Sequence, residues 1–250
     1  MSGFPVEWRA ALGRDGVSSI NKFGHQGSVG TTLISIWDQA AAYNYIAAAT
    51  ALKVSSADAN DTSAGTGAQT VTIYGLDGNY AEVNETVTLS GTTDVPTTQT
   101  FLRVFRIIVE TAGSGGVNAG IIYAYTGADT AGVPDDLTKV YAQISVGENQ
   151  TLMAVYTVPA NKKAMVTALF VAGDSSKTVT IKMVARPLNG AFNTKDKFLI
   201  TAGNTLIIHN IPVVFDEKTD VEVRGVVSVG TTEISAAFDA VLVDKIGGDA

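Results

Sequence analysis

The sequence predicts an all-β protein, built from β-sandwich or jelly-roll domains with an extended N-terminal arm. Its apolar runs are short and rich in β-branched residues. Turn residues separate these runs at intervals of roughly 8–12 residues, which is typical of sandwiches and jelly rolls. The pattern is clearest in the second half, where we expect seven strands: 152–158, 164–171, 178–185, 197–200, 205–211, 220–229 and 233–243.

The first half predicts further strands at 31–37, 121–125 and 139–146. The stretch 38–52 allows two interpretations. Asp38 could cap an alanine-rich helix, because alanine favours helix and aspartate is a good N-cap. The alternation of Tyr43 and Tyr45 instead favours a loop followed by a strand. We expect the loop and strand, because the surrounding pattern is β.

A β-hairpin is the strongest local signal in the first half. Residues 70–74 alternate between apolar and polar side chains, Asp77-Gly78 follows, and residues 82–89 alternate again. Asp-Gly suits the positive φ angles of tight hairpin turns. We therefore expect Val71, Ile73, Val87 and Leu89 to face one core.

Residues 101–110 are apolar on both faces and predict a central strand covered on both sides. Arg103 and Arg106 interrupt its opposite faces. We expect each arginine to lie near an edge of the strand or to pair with a carboxylate.

The predicted organisation has three parts: an arm over 1–30, a β-sandwich domain over 31–147, and a jelly-roll-like β-sandwich domain over 148–250. Gly147 to Gln150 is the expected boundary, and one elaborated sandwich is the alternative. The arm is punctuated by glycines and carries isolated large apolar residues. It is either a partly ordered terminus or a partner-binding segment that lays Phe4, Trp8, Ile20 and Phe23 on another subunit.

The charge content narrows the classes of partner. Seventeen basic residues stand against 24 acidic ones, for a net charge of -7. Phosphate neutralisation needs clustered lysine and arginine, so we expect no nucleic-acid partner. Only 16% of residues are charged, while 46% are hydrophobic. Charge this sparse indicates that neighbouring subunits cover part of the surface. We expect no membrane partner and no signal peptide, and hence synthesis in a cytoplasm.

The residue types argue against an enzyme, and we expect no catalytic residue, cofactor or metal site. There is no cysteine and there are two histidines, His25 and His209. Such a chain is poorly equipped for zinc or iron. His209 alternates with Ile207 and Ile211, which predicts a hydrogen-bonded imidazole in a core or interface. The acidic loop 58–61 could in principle bind calcium, although it lacks the spacing of an EF-hand loop.

Several runs in both halves resemble virion structural proteins of tailed bacteriophages. In the first half they include Gln69-Thr-Val-Thr-Ile-Tyr-Gly-Leu-Asp-Gly-Asn-Tyr, Glu85-Thr-Val-Thr-Leu-Ser-Gly-Thr and Thr111-Ala-Gly-Ser-Gly-Gly-Val-Asn-Ala-Gly. In the second half they include Tyr156-Thr-Val-Pro-Ala-Asn-Lys-Lys-Ala and Phe238-Asp-Ala-Val-Leu-Val-Asp. The similarity covers roughly residues 30–245. It implies a mostly β protein of the particle, without enzymatic activity.

Two functions follow from this resemblance. The first is a capsid decoration (cement) protein, a homotrimer on the capsid surface that binds the major capsid protein and clamps neighbouring capsid subunits. It would be made in the host cytoplasm. The second is a head or tail fibre module whose loops bind a receptor or glycan. An exposed cluster of tryptophan and tyrosine on those loops would favour the second function.

Overall fold

The computed structural model describes residues 5–174, 176–201 and 203–245. The fold is nearly all β, with several antiparallel sheets, as predicted. The elements of the first part are α1 (Val6–Ala11), β1 (Val17–Val29), β2 (Ile34–Ser35), β3 (Thr50–Ser56), β4 (Ala68–Leu76), β5 (Glu82–Thr88), β6 (Val95–Phe101), β7 (Arg103–Ala112), β8 (Ile122–Tyr125), β9 (Asp129–Thr130), β10 (Val133–Pro134), a 3₁₀ turn (Leu137–Lys139) and β11 (Val140–Ile144). They are followed by β12 (Val155–Thr157), β13 (Lys162–Gly173), β14 (Val179–Arg186), β15 (Asn193–Ile200), β16 (Asn204–Phe215), β17 (Asp220–Val227) and β18 (Thr232–Asp244).

The chain forms two compact units, and their boundaries differ from the predicted ones. The split unit combines Met1–Ile36 with Ala154–Ala250, and the inserted unit is Trp37–Met153. The predicted division at 31–147 and 148–250 followed chain order. It missed that β1 pairs with β18 and β2 with β17, the last two strands. Residues 17–29 of the predicted arm form β1, which pairs with β18 from Val17↔Val243 to Val29↔Thr232.

The split unit contains two antiparallel sheets. The front sheet has the order β1-β18-β13-β16. The back sheet has the order β12-β17-β14-β15, and β2 pairs with β17. Each of the seven strands predicted for the second half corresponds to a strand of these sheets.

The two sheets bury their facing sides against each other. In β18 the buried residues Ile234, Ala236 and Phe238 alternate with outward ones, as the two-residue period of a strand requires. The back sheet approaches closely at Gly225. A Cβ there would lie 3.1 Å from Ile234 Cδ1 of the front sheet and 3.4 Å from Ile181 Cδ1 of its own sheet. Glycine at this position therefore leaves room for the apolar side chains between the sheets.

The inserted unit has a four-stranded sheet in the order β11-β8-β3-β6, a three-stranded sheet in the order β5-β4-β7, and the short hairpin β9-β10. The predicted hairpin is present as β4 and β5, with Val71 opposite Val87. Val71, Ile73, Val87 and Leu89 are all buried, as expected. Residues 38–49 form a loop that leads into β3, so the helical interpretation is wrong.

The strand predicted at 101–110 is β7, and its position differs from the expectation. It lies at an edge of the three-stranded sheet, with β4 at the centre. Arg103 is nonetheless buried. Its guanidinium compensates for the lost water by donating to the carbonyl oxygens of Ile46 at 3.0 Å and Leu102 at 2.8 Å. Its guanidinium carbon also lies 4.9 Å from the centre of the Tyr45 ring. Carbonyl oxygens and an aromatic face thus surround this cation.

Candidate interaction surface

The outer side of the front sheet carries apolar side chains in register across its strands. Phe23 of β1 lies opposite Ala237, which lies opposite Phe170, which lies opposite Leu206 of β16. Residues paired in this way point to the same side of the sheet. Two further pairs lie beside this row, Ala168 with Ile208 and Met165 with Val214. We call these residues the apolar face: Phe23, Met165, Ala168, Phe170, Leu206, Ile208, Val214 and Ala237.

The large residues of this face are exposed to an extent that is unusual for a strand. The exposed fractions are 44% for Phe170, 58% for Leu206, 68% for Ile208 and 56% for Val214. Soluble monomers rarely expose contiguous apolar patches larger than a few hundred Å². A sheet face with this composition is typical of a surface that another protein covers.

The edge strand β16 contains a large β-bulge. From Val166 to Ala168 the strand β13 advances two residues, while β16 advances five, from Val213 back to Ile208. Ile211 projects from this bulge and is 86% exposed. Pro212 lies in the same bulge and has no backbone N–H to donate. Bulges and prolines at an edge hinder pairing with a further strand.

The residues predicted to bind a partner do not form a single surface. Phe4 lies outside the described residues. Trp8 lies on α1 and is 60% exposed. Ile20 and Phe23 are both half-buried in β1 and, three residues apart, lie on opposite faces of the strand. Phe23 alone belongs to the apolar face, so the idea of a loose arm is wrong for residues 17–29.

The outer side of the back sheet is different, because its charged residues are paired within the unit. Glu222 is fully buried and accepts hydrogen bonds from Ser35 Oγ and, at 2.7 Å, from Arg224. Asp220 is also buried and accepts from Arg186 Nη2 at 2.6 Å and from Thr157 Oγ1 at 2.6 Å. Both carboxylates thus find their hydrogen-bond donors within the same unit.

Phe192 adds an aromatic contact to this network. Its ring centre lies 4.7 Å from the guanidinium carbon of Arg186 and 4.5 Å from that of Arg224. A guanidinium over an aromatic face is attracted by the ring quadrupole. The ring therefore helps to hold both arginines beside their carboxylates.

The acidic loop considered for calcium is organised by a buried carboxylate. Asp61 accepts hydrogen bonds from Ser56 Oγ, and from the backbone N–H groups of Ala68, Ala119 and Gly120, at 2.6–2.8 Å. Its oxygens thereby tie the loop to the segment that precedes β8. Within the described ranges, no group of three or more His, Cys, Asp or Glu residues is arranged to hold a metal ion.

His209 connects the edges of the two sheets in the split unit. Its Nε2 atom lies 3.2 Å from Oδ2 of Asp196 in β15. The imidazole is partly buried, and its neighbour Ile211 is highly exposed. The expected alternation with Ile211 is wrong, because the bulge in β16 breaks the two-residue period.

The inserted unit contains a cavity of about 410 Å³. Its lining includes Trp37, Asp38, Tyr123 and Leu137, together with a run of three alanines at residues 40–42. Small alanine side chains leave this space unfilled. Trp37 and Tyr123 are themselves buried, and Trp37 Nε1 donates to the Ala41 carbonyl at 2.9 Å. The aromatic residues thus form the wall of the cavity and are not an exposed platform.

Asp38 joins the beginning and the end of the inserted unit. Its carboxylate accepts from Ser145 Oγ at 2.8 Å and from the Leu152 backbone N–H at 2.9 Å. Trp37 and Met153 form an isolated β-bridge next to it. Burial raises the pKa of Asp38 from 3.8 to about 7, although both hydrogen bonds act in the opposite direction.

A sequence signal for the apolar face exists in β16. Asn204–Phe215 contains no Asp, Glu, Lys or Arg over twelve residues. Such a run is equally consistent with a strand buried on both sides. The sequence pattern alone could not show that this strand lies at an edge with its outer side uncovered.

No protein-family model and no curated protein matches the sequence. Two solved structures that resemble the chain come from infectious bursal disease virus. A structure of the Gx strain is 14% identical, with 94% of this chain and 73% of the other chain covered, and a TM-score of 0.27. The VP2 subviral particle is 12% identical, with 94% and 74% covered, and a TM-score of 0.20. At such TM-scores the likeness carries no argument about this protein.

No helix among the described residues is both long enough and apolar enough to cross a membrane.

Proposed function

We propose that the protein is a non-enzymatic structural component of a tailed-phage virion, most specifically a capsid decoration (cement) protein. It binds the major capsid protein on the outer surface of the shell and associates with copies of itself as a homotrimer. It is made in the host cytoplasm and binds neither nucleic acid nor membrane. The resemblance of its sequence motifs to phage virion proteins supports this class.

The single observation that carries the proposal is the apolar face. Four large apolar side chains of this face are between 44% and 68% exposed on rigid strands, and Ile211 projects beside them. Strands hold such side chains in fixed positions, so little conformational entropy is lost on binding. A rigid apolar sheet face suits a protein that works by covering another protein surface.

The protein would stabilise the shell because its binding is linked to the assembly of the capsid subunits. A decoration protein that binds the assembled shell, and not its separate subunits, stabilises the assembled state by mass action. Each bound copy adds interface area at a junction between capsid subunits. Of the predicted partner-binding set, we assign Trp8 to such contacts, because it is exposed. Phe23 lies on the apolar face and is not needed for them.

The test uses expanded shells, without the decoration protein, of the phage that encodes this chain. Purified protein should sediment with these shells and raise their melting temperature. The Trp8→Ser variant should bind more weakly, by about tenfold if Trp8 is an anchor residue. Val146→Ser, at an exposed apolar residue of the inserted unit, is the control. Failure of the wild-type protein to bind any shell would refute the proposal.

A second function is favoured by one observation, the cavity beside Asp38. Ligand sites are commonly cavities of roughly 300–1,000 Å³ lined by apolar and aromatic residues. In a head or tail fibre module this cavity would take part in receptor binding. Binding of the purified protein to host cells, abolished by filling the cavity with Ala41→Leu, would favour this function over the first.

A further inference from the structure

We infer that the apolar face is covered by another copy of this chain, through side-chain packing and not through the addition of a strand. The inference deepens the proposed function and rests on it, because it names the surface by which the copies associate. Four features of the structure support it: the size of the face, its lack of charge, its relief and its blunted edge.

The size of the face matches one complete interface. The exposed parts of Phe170, Leu206, Ile208 and Val214 together amount to roughly 400 Å² of mostly apolar surface. A standard interface buries about 800 Å² on each partner, a little more than half of it apolar. The face is therefore large enough for a stable contact between two protein molecules.

The lack of charge on β16 matters because each copy carries a net charge of -7. Two such copies repel each other over most of their surfaces. β16 contains no Asp, Glu, Lys or Arg. One exposed acid, Asp239 of β18, lies opposite Ala168 in the row of Ile208, and its carboxylate accepts a hydrogen bond from Asn21 Nδ2 at 2.6 Å. The face gives an oppositely charged partner no complementary cluster to recognise, and it lets like-charged copies approach.

The face has both a ridge of large side chains and a lower area of small ones, and packing between identical copies requires both. Large exposed side chains, Leu206 and Ile208, form a ridge at the β16 edge. Small side chains, Ala168 and Ala237, lie between larger ones on β13 and β18. The ridge of one copy can lie on the small residues of the next. A head-to-tail contact of this kind forms a ring when its rotation closes, as a trimer does.

The blunted edge excludes the usual alternative for a sheet edge, in which a strand of the partner continues the sheet. The bulge between Ile208 and Val213 interrupts the ladder, and Pro212 removes a donor. Pairing with another strand could extend over only a few residues on either side. The exposed side chains remain available for packing.

The test measures the mass of the purified full-length chain in the absence of shells, by light scattering over a dilution series. We expect a multiple of the 26.0 kDa chain mass for the wild type. Ile208→Lys should weaken self-association by about a hundredfold, because a lysine would be buried without a partner. Val229→Lys is the matched control, since Val229 is also 68% exposed and lies outside the face. It should leave the mass unchanged.

Two results would overturn the inference: a wild-type mass of one chain at every concentration, or equal effects of the Ile208 and Val229 variants. If Ile208→Lys fails to fold by circular dichroism, the pair Leu206→Ser and Ile211→Ser replaces it, with an expected weakening of about tenfold. A dimer would support the face and refute the trimer. Copies that associate but bind no shell would refute only the cement function. A monomer that binds shells would refute this inference and the homotrimer, and would leave the binding to shells supported.

Discussion

The two outer faces of the split unit differ in how their side chains are satisfied. On the back sheet, Asp220 and Glu222 are buried and each is bound by an arginine of the same unit. On the front sheet, Leu206 and Ile208 are more than half exposed, and no element of the described part of the chain covers them. The charged groups of the back face are paired within one chain, whereas the front face leaves apolar area exposed.

The largest expected effect comes from breaking a pair on the back face. Arg224→Met should lower the free energy of unfolding by about 3–5 kcal/mol, because it leaves the fully buried Glu222 without its cation. Lys195→Met, at an exposed lysine of β15, should change it by less than about 0.5 kcal/mol. Denaturant titration of both variants measures the difference.

The double variant Glu222→Met/Arg224→Met sharpens the same point. The double variant should recover part of the unfolding free energy that Arg224→Met loses, because no uncompensated carboxylate remains. A single Arg224→Met variant as stable as the wild type would show that the back face does not depend on its ion pairs.

A second comparison concerns a buried carboxylate whose hydrogen-bond partners are neutral. Asp38 is bound by a hydroxyl and a backbone amide, and burial raises its pKa to about 7. The folded state therefore holds the proton more tightly than the unfolded state, where the pKa is near 3.8. This contribution to stability is fully present below pH 3.8 and is lost as the pH rises through 7.

Stability of the inserted unit should consequently fall by about 2–3 kcal/mol between pH 5 and pH 7 through Asp38 alone. Asp136, Asp174 and Glu217 have lowered pKa values and change protonation below this window. In the Asp38→Asn variant, the fall of the unfolding free energy with pH that Asp38 causes should disappear, whatever the absolute stability of the variant. Equal slopes for the two proteins, measured by denaturant titration at each pH, would contradict the assignment.

The smallest expected effect lies on the front face. Ile208→Ser should change the unfolding free energy of the isolated monomer by less than about 0.5 kcal/mol, because the side chain is already 68% exposed. The measurement is made at concentrations where the protein is monomeric. A loss of about 2 kcal/mol or more would mean that the face is packed within its own chain.

The sequence by itself determined the fold class, the seven strands of the second half and the hairpin of β4 and β5, although the positive φ angle in its turn is at Tyr80 and not at Gly78. These follow from local rules, namely the two-residue period of strands and the conformational preferences of turn residues. Only the tertiary structure decided that β1 pairs with β18, so that residues 17–29 of the predicted arm are a strand and the inserted unit interrupts the split one. It also decided that β16 lies at an edge with one side uncovered. The physical reason is that strand pairing joins residues more than 200 positions apart, and no local pattern specifies which strand will be a neighbour.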